Sequence, residues 1–171
     1  GRPAVLTTSL DPDPGRMVRV LLLALLAAGA HAPPRSARQE TEVTPCVVAS
    51  LPAASDGDTD LDRIRQLFLM RERFWPSGAA AHPVNLPPSA ELRERFSRLV
   101  LGQSVTELAP YWNERYFHGT RPPPTVASET AVLLFVARTP GAVGYVGRRA
   151  SDELPQGVTR LMCVGQEGSD G

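Results

Sequence analysis

Ser89 is the residue best placed to do chemistry. It follows Pro87-Pro88 and precedes a run in which Leu92, Phe96, Leu99 and Val100 recur at helical spacing. It therefore reads as the N-cap of a helix to about Leu101, ended by Gly102. A helix start offers free N–H groups and the positive end of the backbone dipole, which suit a small oxyanion. The plain helix cap is the reading favoured for Ser89, with a ligand contact as the alternative. Glu91 and Glu94 sit in the first turns, where carboxylates favour the dipole. No catalytic set accompanies them: there is no Gly-x-Ser-x-Gly, no His-Glu-x-x-His and no Gly-rich phosphate loop with Lys. An enzyme is not expected. An N-terminal His31 could chelate copper with His82 or His118, but a flexible leader does not preorganise such a set. No metal and no cofactor are expected.

The elements around Ser89 are punctuated by aromatic residues beside turn formers. Trp75-Pro76-Ser77-Gly78 suits a tight turn, with Pro setting φ and Gly supplying positive φ. It predicts a hairpin of Arg71 to Phe74 with Ala80 to Asn85. Upstream, Val43 to Leu51 reads as a buried strand and Pro52 to Thr59 as a loop. Asp58 or Thr59 caps a predicted helix over about Asp60 to Met70, with Leu61, Ile64, Leu67 and Phe68 on one face. Downstream, Ser104-Val105-Thr106-Glu107 is a capping box. It opens a helix to about Phe117, with Val105, Leu108, Trp112 and Tyr116 on one side and a kink or restart at Pro110. Gly119 to Pro124 is a proline-rich loop. Ser128 caps a helix to Arg138, and Pro140-Gly141 stops it. Ala142 to Gly147 and Val158 to Val164 read as closing strands. The order β-α-β-β-α-α-α-β-β defines an α/β sandwich. Trp75 and Trp112 are expected to dock against its core, and Phe96 and Phe135 to be largely buried.

Charge excludes one class of partner. The chain carries 18 basic and 18 acidic residues, so no net field draws nucleic acid or an anionic membrane. Every basic residue is Arg, and Ile64 is the single Ile. This is the composition of a GC-rich genome, so Arg93, Arg95 and Arg98 read as a solvated helix face. The length of 171 residues suits one domain once the start is set aside. From Met17 the chain reads as an export signal: Arg19, then the apolar run Val20 to Ala28, then small residues. Ala28-Gly29-Ala30 and Ala30-His31-Ala32 compete as cleavage sites, and Pro33 disfavours the second. Residues 1–30 are thus upstream sequence plus a signal peptide (Met17 to Ala30). Residues 31–42 form a flexible leader, 43–164 the domain and 165–171 a disordered tail. Cys46 and Cys163 can form one disulfide in an oxidising compartment; two buried free thiols are the alternative.

Leu67-Phe68-Leu69, Trp75-Pro76-Ser77-Gly78, Pro83-Val84-Asn85, Tyr111-Trp112-Asn113 and Pro140-Gly141-Ala142-Val143-Gly144-Tyr145-Val146 occur in that order. Together they resemble the phosphate-type periplasmic substrate-binding proteins. They are closer still to the short, single-lobe members found in Gram-negative bacteria. The resemblance covers about residues 43–164. It implies a single lobe of the type II periplasmic-binding-protein fold, with a mixed sheet flanked by helices. It also implies an exported, periplasmic, solute-binding-like protein that works with an ABC-type membrane transporter.

In the full-length family two lobes close over an oxyanion. Amides and hydroxyls at a helix start hold it, in an Arg-Ser-x-Gly-Ser-Gly-Thr-like segment. The matching segment runs from Asn85 to Glu91, with Asn85, Ser89 and Ala90 at the ligand positions. Asn85 stands in place of the Arg, Pro88 removes an N–H, and Glu91 adds negative charge where the family has a Thr hydroxyl. These departures imply weak or no phosphate binding by a monomer. A second copy or a partner protein would supply the other wall. The other function class is a non-transport envelope interaction or structural module on the same lobe.

Export predicts a mature protein that begins near His31. N-terminal sequencing of periplasmic material checks this; an intact Met17 start on a cytoplasmic protein contradicts it.

Overall fold

The structure, a computed structural model, describes residues 43–51 and 59–165. The expected signal peptide, the leader, most of the Pro52 to Thr59 loop and the tail after Gly165 lie outside the described residues.

The apolar, β-branched run near Cys46 forms β1 (Pro45–Ser50), every residue of which is buried. Glycine and alternating Val and Tyr form β3 (Ala142–Gly147), also wholly buried. With β2 (His82–Pro83) and β4 (Val158–Cys163) they make a four-stranded sheet in the order β2-β3-β1-β4. β1 pairs antiparallel with β3 and with β4, while β2 pairs parallel with β3. The sheet is therefore mixed.

Among the described residues there are four α-helices. α1 (Leu61–Phe68) buries Ile64, Leu67 and Phe68, as their spacing predicts. Its cap is Asp60, whose carboxylate accepts from the Arg63 N–H at 2.7 Å, in place of the expected Asp58 or Thr59. α2 (Glu91–Phe96) runs into a π-helical turn, Ser97–Leu101. α3 (Ala109–Phe117) follows the capping box, in which Ser104 and Glu107 exchange hydrogen bonds of 2.7 and 3.1 Å. Pro110 sits in the first turn of α3, so the helix restarts there instead of kinking. α4 (Glu129–Arg138) is capped by Ser128, which accepts from the Ala131 N–H.

Strand alternation assigns the faces of β3. The ring of Tyr145 meets Phe96 and Phe68, so α1 and α2 cover that face. A Cβ on the neighbouring Gly144 would lie 2.5 Å from Val132 and 3.5 Å from Val136, so α4 covers the other. Burial on both faces explains why the two central strands are apolar apart from Ser50 and the Tyr145 hydroxyl.

The turn blocks dock on one another. Gly78 N–H closes the predicted turn onto the Trp75 carbonyl at 2.9 Å. Trp75 is buried, and its indole N–H donates to the Gly141 carbonyl at 2.8 Å. Gly141 has a φ of 81°, and an added Cβ would fall on the Ala80 carbonyl oxygen. Position 141 thus admits only glycine.

Several expectations fail, each for a local reason. The predicted hairpin shrinks to one antiparallel bridge, Phe74 to Ala80, because its second arm turns away to pair with β3. The observed order is β-α-β-α-α-α-β-β. The π-helical turn shifts the phase of α2, leaving Leu99 36% exposed instead of on the buried stripe. α3 buries none of its residues, so Tyr116 is exposed, while Trp112 packs partly buried against the core as expected. Phe135 is only partly buried. Among the described residues no helix is long and apolar enough to cross a membrane.

Cys46 and Cys163 face each other across β1 and β4, and their sulfurs are joined. Their separation of 117 residues makes this a long closed loop. On the chain-entropy model such a bridge stabilises by about 5 kcal/mol.

Gly144 is the position where α4 comes down on the sheet. Gly144→Ala should destabilise the protein by about 1–3 kcal/mol through overpacking. Urea unfolding measures this; unchanged stability would mean α4 does not pack there.

Candidate functional site

The expected ligand positions are not gathered at one surface. Asn85 is buried, at 3% exposure. Its backbone N–H donates to the Pro124 carbonyl, and its own carbonyl accepts from Val126. Its side-chain oxygen accepts from the Tyr145 hydroxyl at 3.3 Å. Ser89 is exposed and does not cap α2; the N-cap is Ala90, with no side-chain hydrogen bond. The physical reason is the turn before it. The Ala90 N–H donates to the Pro87 carbonyl, so Pro88 and Ser89 occupy the turn and the helix begins later. Ala90 itself is half-buried.

A polar node assembles elsewhere, one helical turn further on. Arg93 is buried at 7% exposure, not solvated as its neighbours Arg95 and Arg98 suggested. One guanidinium nitrogen, Nη1, donates to the Tyr145 hydroxyl at 3.4 Å. That hydroxyl also accepts from the Leu86 N–H at 3.2 Å. Tyr145 thus accepts twice and donates once, to Asn85. Its ring stacks on Phe96 with centroids 3.8 Å apart and planes 6° from parallel.

The electrostatics of this node are unusual. Among the described residues no carboxylate pairs with Arg93, and its Nε has no acceptor. The hydroxyl of Ser97, one turn along the same face, is also buried without a partner. Burial pulls the guanidinium below its ordinary range, while Tyr145 acts the other way. Burial pushes the Tyr145 phenol up to about 12, against the charge of Arg93 and the Leu86 hydrogen bond. At neutral pH the node is therefore a positive charge beside a neutral phenol. Its unused Nε is a buried donor, and the node holds no base or nucleophile.

One signal for Arg93 was present in the sequence. It lies three residues before Phe96 and seven before Val100, which is the buried stripe of the helix. Tyr145 carried a second: a tyrosine in an otherwise apolar, doubly covered strand needs a partner for its hydroxyl.

The sequence matches no protein-family model and no curated protein. The fold is similar to that of PstS from Borrelia burgdorferi, with a TM-score of 0.51 and 14% identity. The match covers 70% of this chain and 46% of that one, so this chain spans less than half the length of the protein it resembles. What the two share is the mixed α/β architecture.

Replacing Tyr145 by Phe strands Leu86 N–H, the Asn85 oxygen and one Arg93 nitrogen in the core. It should cost about 1–3 kcal/mol. The node also sets an alkaline limit. An unfolded tyrosine ionises near pH 10 and this folded one near 12. The unfolded state loses its proton first, so the Tyr145 contribution is whole below pH 10 and is lost between pH 10 and about 12. Urea unfolding across this window checks it. A slope as steep in Tyr145→Phe as in the parent would contradict the assignment.

Proposed function

We propose that this chain is a single lobe of the type II periplasmic-binding-protein fold that engages a small oxyanion through Arg93. The observation that carries the reading is the buried guanidinium with no carboxylate and an unused Nε. A desolvated cation without a counter-ion is costly, and an anionic ligand relieves that cost. Arg suits the role because its planar donors match the oxygens of phosphate-like groups. The sequence resemblance and the fold likeness to PstS support the same class. The sequence places no Arg at Asn85; in this reading Arg93 supplies the charged donor instead.

A single lobe provides one wall. The other comes from a second copy or a partner protein, and ligand transfer to a membrane transporter follows from the family resemblance. Export fits the paired Cys46 and Cys163, since disulfides persist in oxidising compartments. The second reading, an envelope interaction module, draws on the end of α3. There Phe117 is 86% exposed and Tyr116 58%, more apolar surface than a helix end needs for folding.

Isothermal titration with phosphate, combined with sedimentation, tests the proposal. A monomer should bind in the millimolar range and a dimer more tightly. Arg93→Gln should weaken binding about tenfold or more, the worth of a charged hydrogen bond. Micromolar affinity in a demonstrable monomer would contradict the need for a second wall. Affinity unchanged by Arg93→Gln would remove Arg93 from the site.

A further inference from the structure

A second region gathers positive charge away from Arg93. Between β2, the proline-rich loop after α3 and helix α4 lies a cleft of about 380 Å³. This is within the range of small-molecule sites, roughly 300–1,000 Å³. Arg73, His82 and Arg121 line it, with Met70, Phe135 and the run Pro122 to Pro124 as apolar walls. No acidic residue lines it.

That charge is left over from folding. Four arginines find carboxylates: Arg63 with Glu72, Arg65 with Asp62, Arg98 with Glu94, Arg160 with Asp152. Among the described residues, neither Arg73 nor Arg121 pairs with one. The contact of Arg73 is a long one, 3.5 Å to the Thr120 hydroxyl.

The apolar wall carries its own signature. Met70, with a φ of 53°, is the left-handed residue that ends α1: its N–H donates to the Leu67 carbonyl at 3.0 Å and that of Arg71 to the Gln66 carbonyl at 2.9 Å. α3 fixes it there: Tyr111 donates to the Leu69 carbonyl at 2.7 Å, and Arg115 to the Met70 carbonyl at 2.9 Å. Phe135 belongs to the same wall, which accounts for its being only partly buried.

The geometry points to a second ligand site, in which this cleft binds a small organic carboxylate with a flat apolar body. Arg73, His82 and Arg121 take the carboxylate, and Phe135, Met70 and the prolines take the body. A bare inorganic anion would leave the apolar wall unused; a neutral ring would leave two arginines without a counter-ion. The site is independent of the Arg93 reading, because Asn85, Arg93 and Tyr145 do not line the cleft.

Nuclear magnetic resonance titration of the intact chain tests it, with benzoate as probe, benzamide as neutral isostere and phosphate as the inorganic control. Benzoate should shift the His82, Gly119 and Phe135 signals saturably. Arg73→Gln with Arg121→Gln, both exposed positions, should weaken this about tenfold or more. Arg93→Gln should leave it unchanged. The proposal is overturned by no saturable shift with benzoate, by an equal response to benzamide, or by an equal response to phosphate at these residues.

Discussion

The hydroxyl of Tyr145 takes hydrogen bonds from Leu86 and Arg93 and gives one to Asn85. Burying a guanidinium costs several kcal/mol unless its donors are met, and one hydroxyl meets only part of that need. The surrounding structure accommodates the node closely. β3 carries Tyr145 between two helical layers, and Phe96 stacks on its ring. Asn85 is fixed by backbone bonds to Pro124 and Val126, which tie the loop before α4 to the end of β2. Movement of α2 against the sheet therefore disturbs the hydroxyl, the guanidinium and the loop together.

Where local chemistry decides, the sequence was sufficient. Ser128 caps α4, Ser104 and Glu107 form their capping box, and Trp75 to Gly78 make a turn, because each depends on residues within a few positions. β3 has the bounds its residues predict, since Gly141 and Gly144 answer close contacts that no larger residue tolerates. Long-range competition was not legible. The arm after Ala80 abandons its hairpin for a parallel partner 60 residues away, as His82 pairs with Ala142. Ser89 lost its cap to a turn made by Pro87 and Ala90. Leu99 left the core because a π-helical turn cannot be read from apolar spacing.

The candidate site was legible only as a region. The segment from Asn85 to Glu91 lies beside the node, but the charged group is Arg93, two residues beyond it. Three arginines in six residues look like a solvated face, and only phase separates Arg93 from Arg95 and Arg98. Among the described residues, arginines without carboxylates include Arg93 in a buried polar node and Arg73 and Arg121 in an open, half-apolar cleft. The proposed oxyanion reading rests on the first and the proposed organic-anion site on the second.

The central claim is that Arg93 is a buried cation with an unused donor that an anion can take. Nitrogen-15 magnetic resonance of the Arg93 Nε–H reads this group directly. The account predicts a resolved, slowly exchanging signal in the free protein that moves downfield when phosphate is added, as a new acceptor forms. A signal that exchanges as fast as those of exposed arginines, or that stays in place with phosphate, would contradict it.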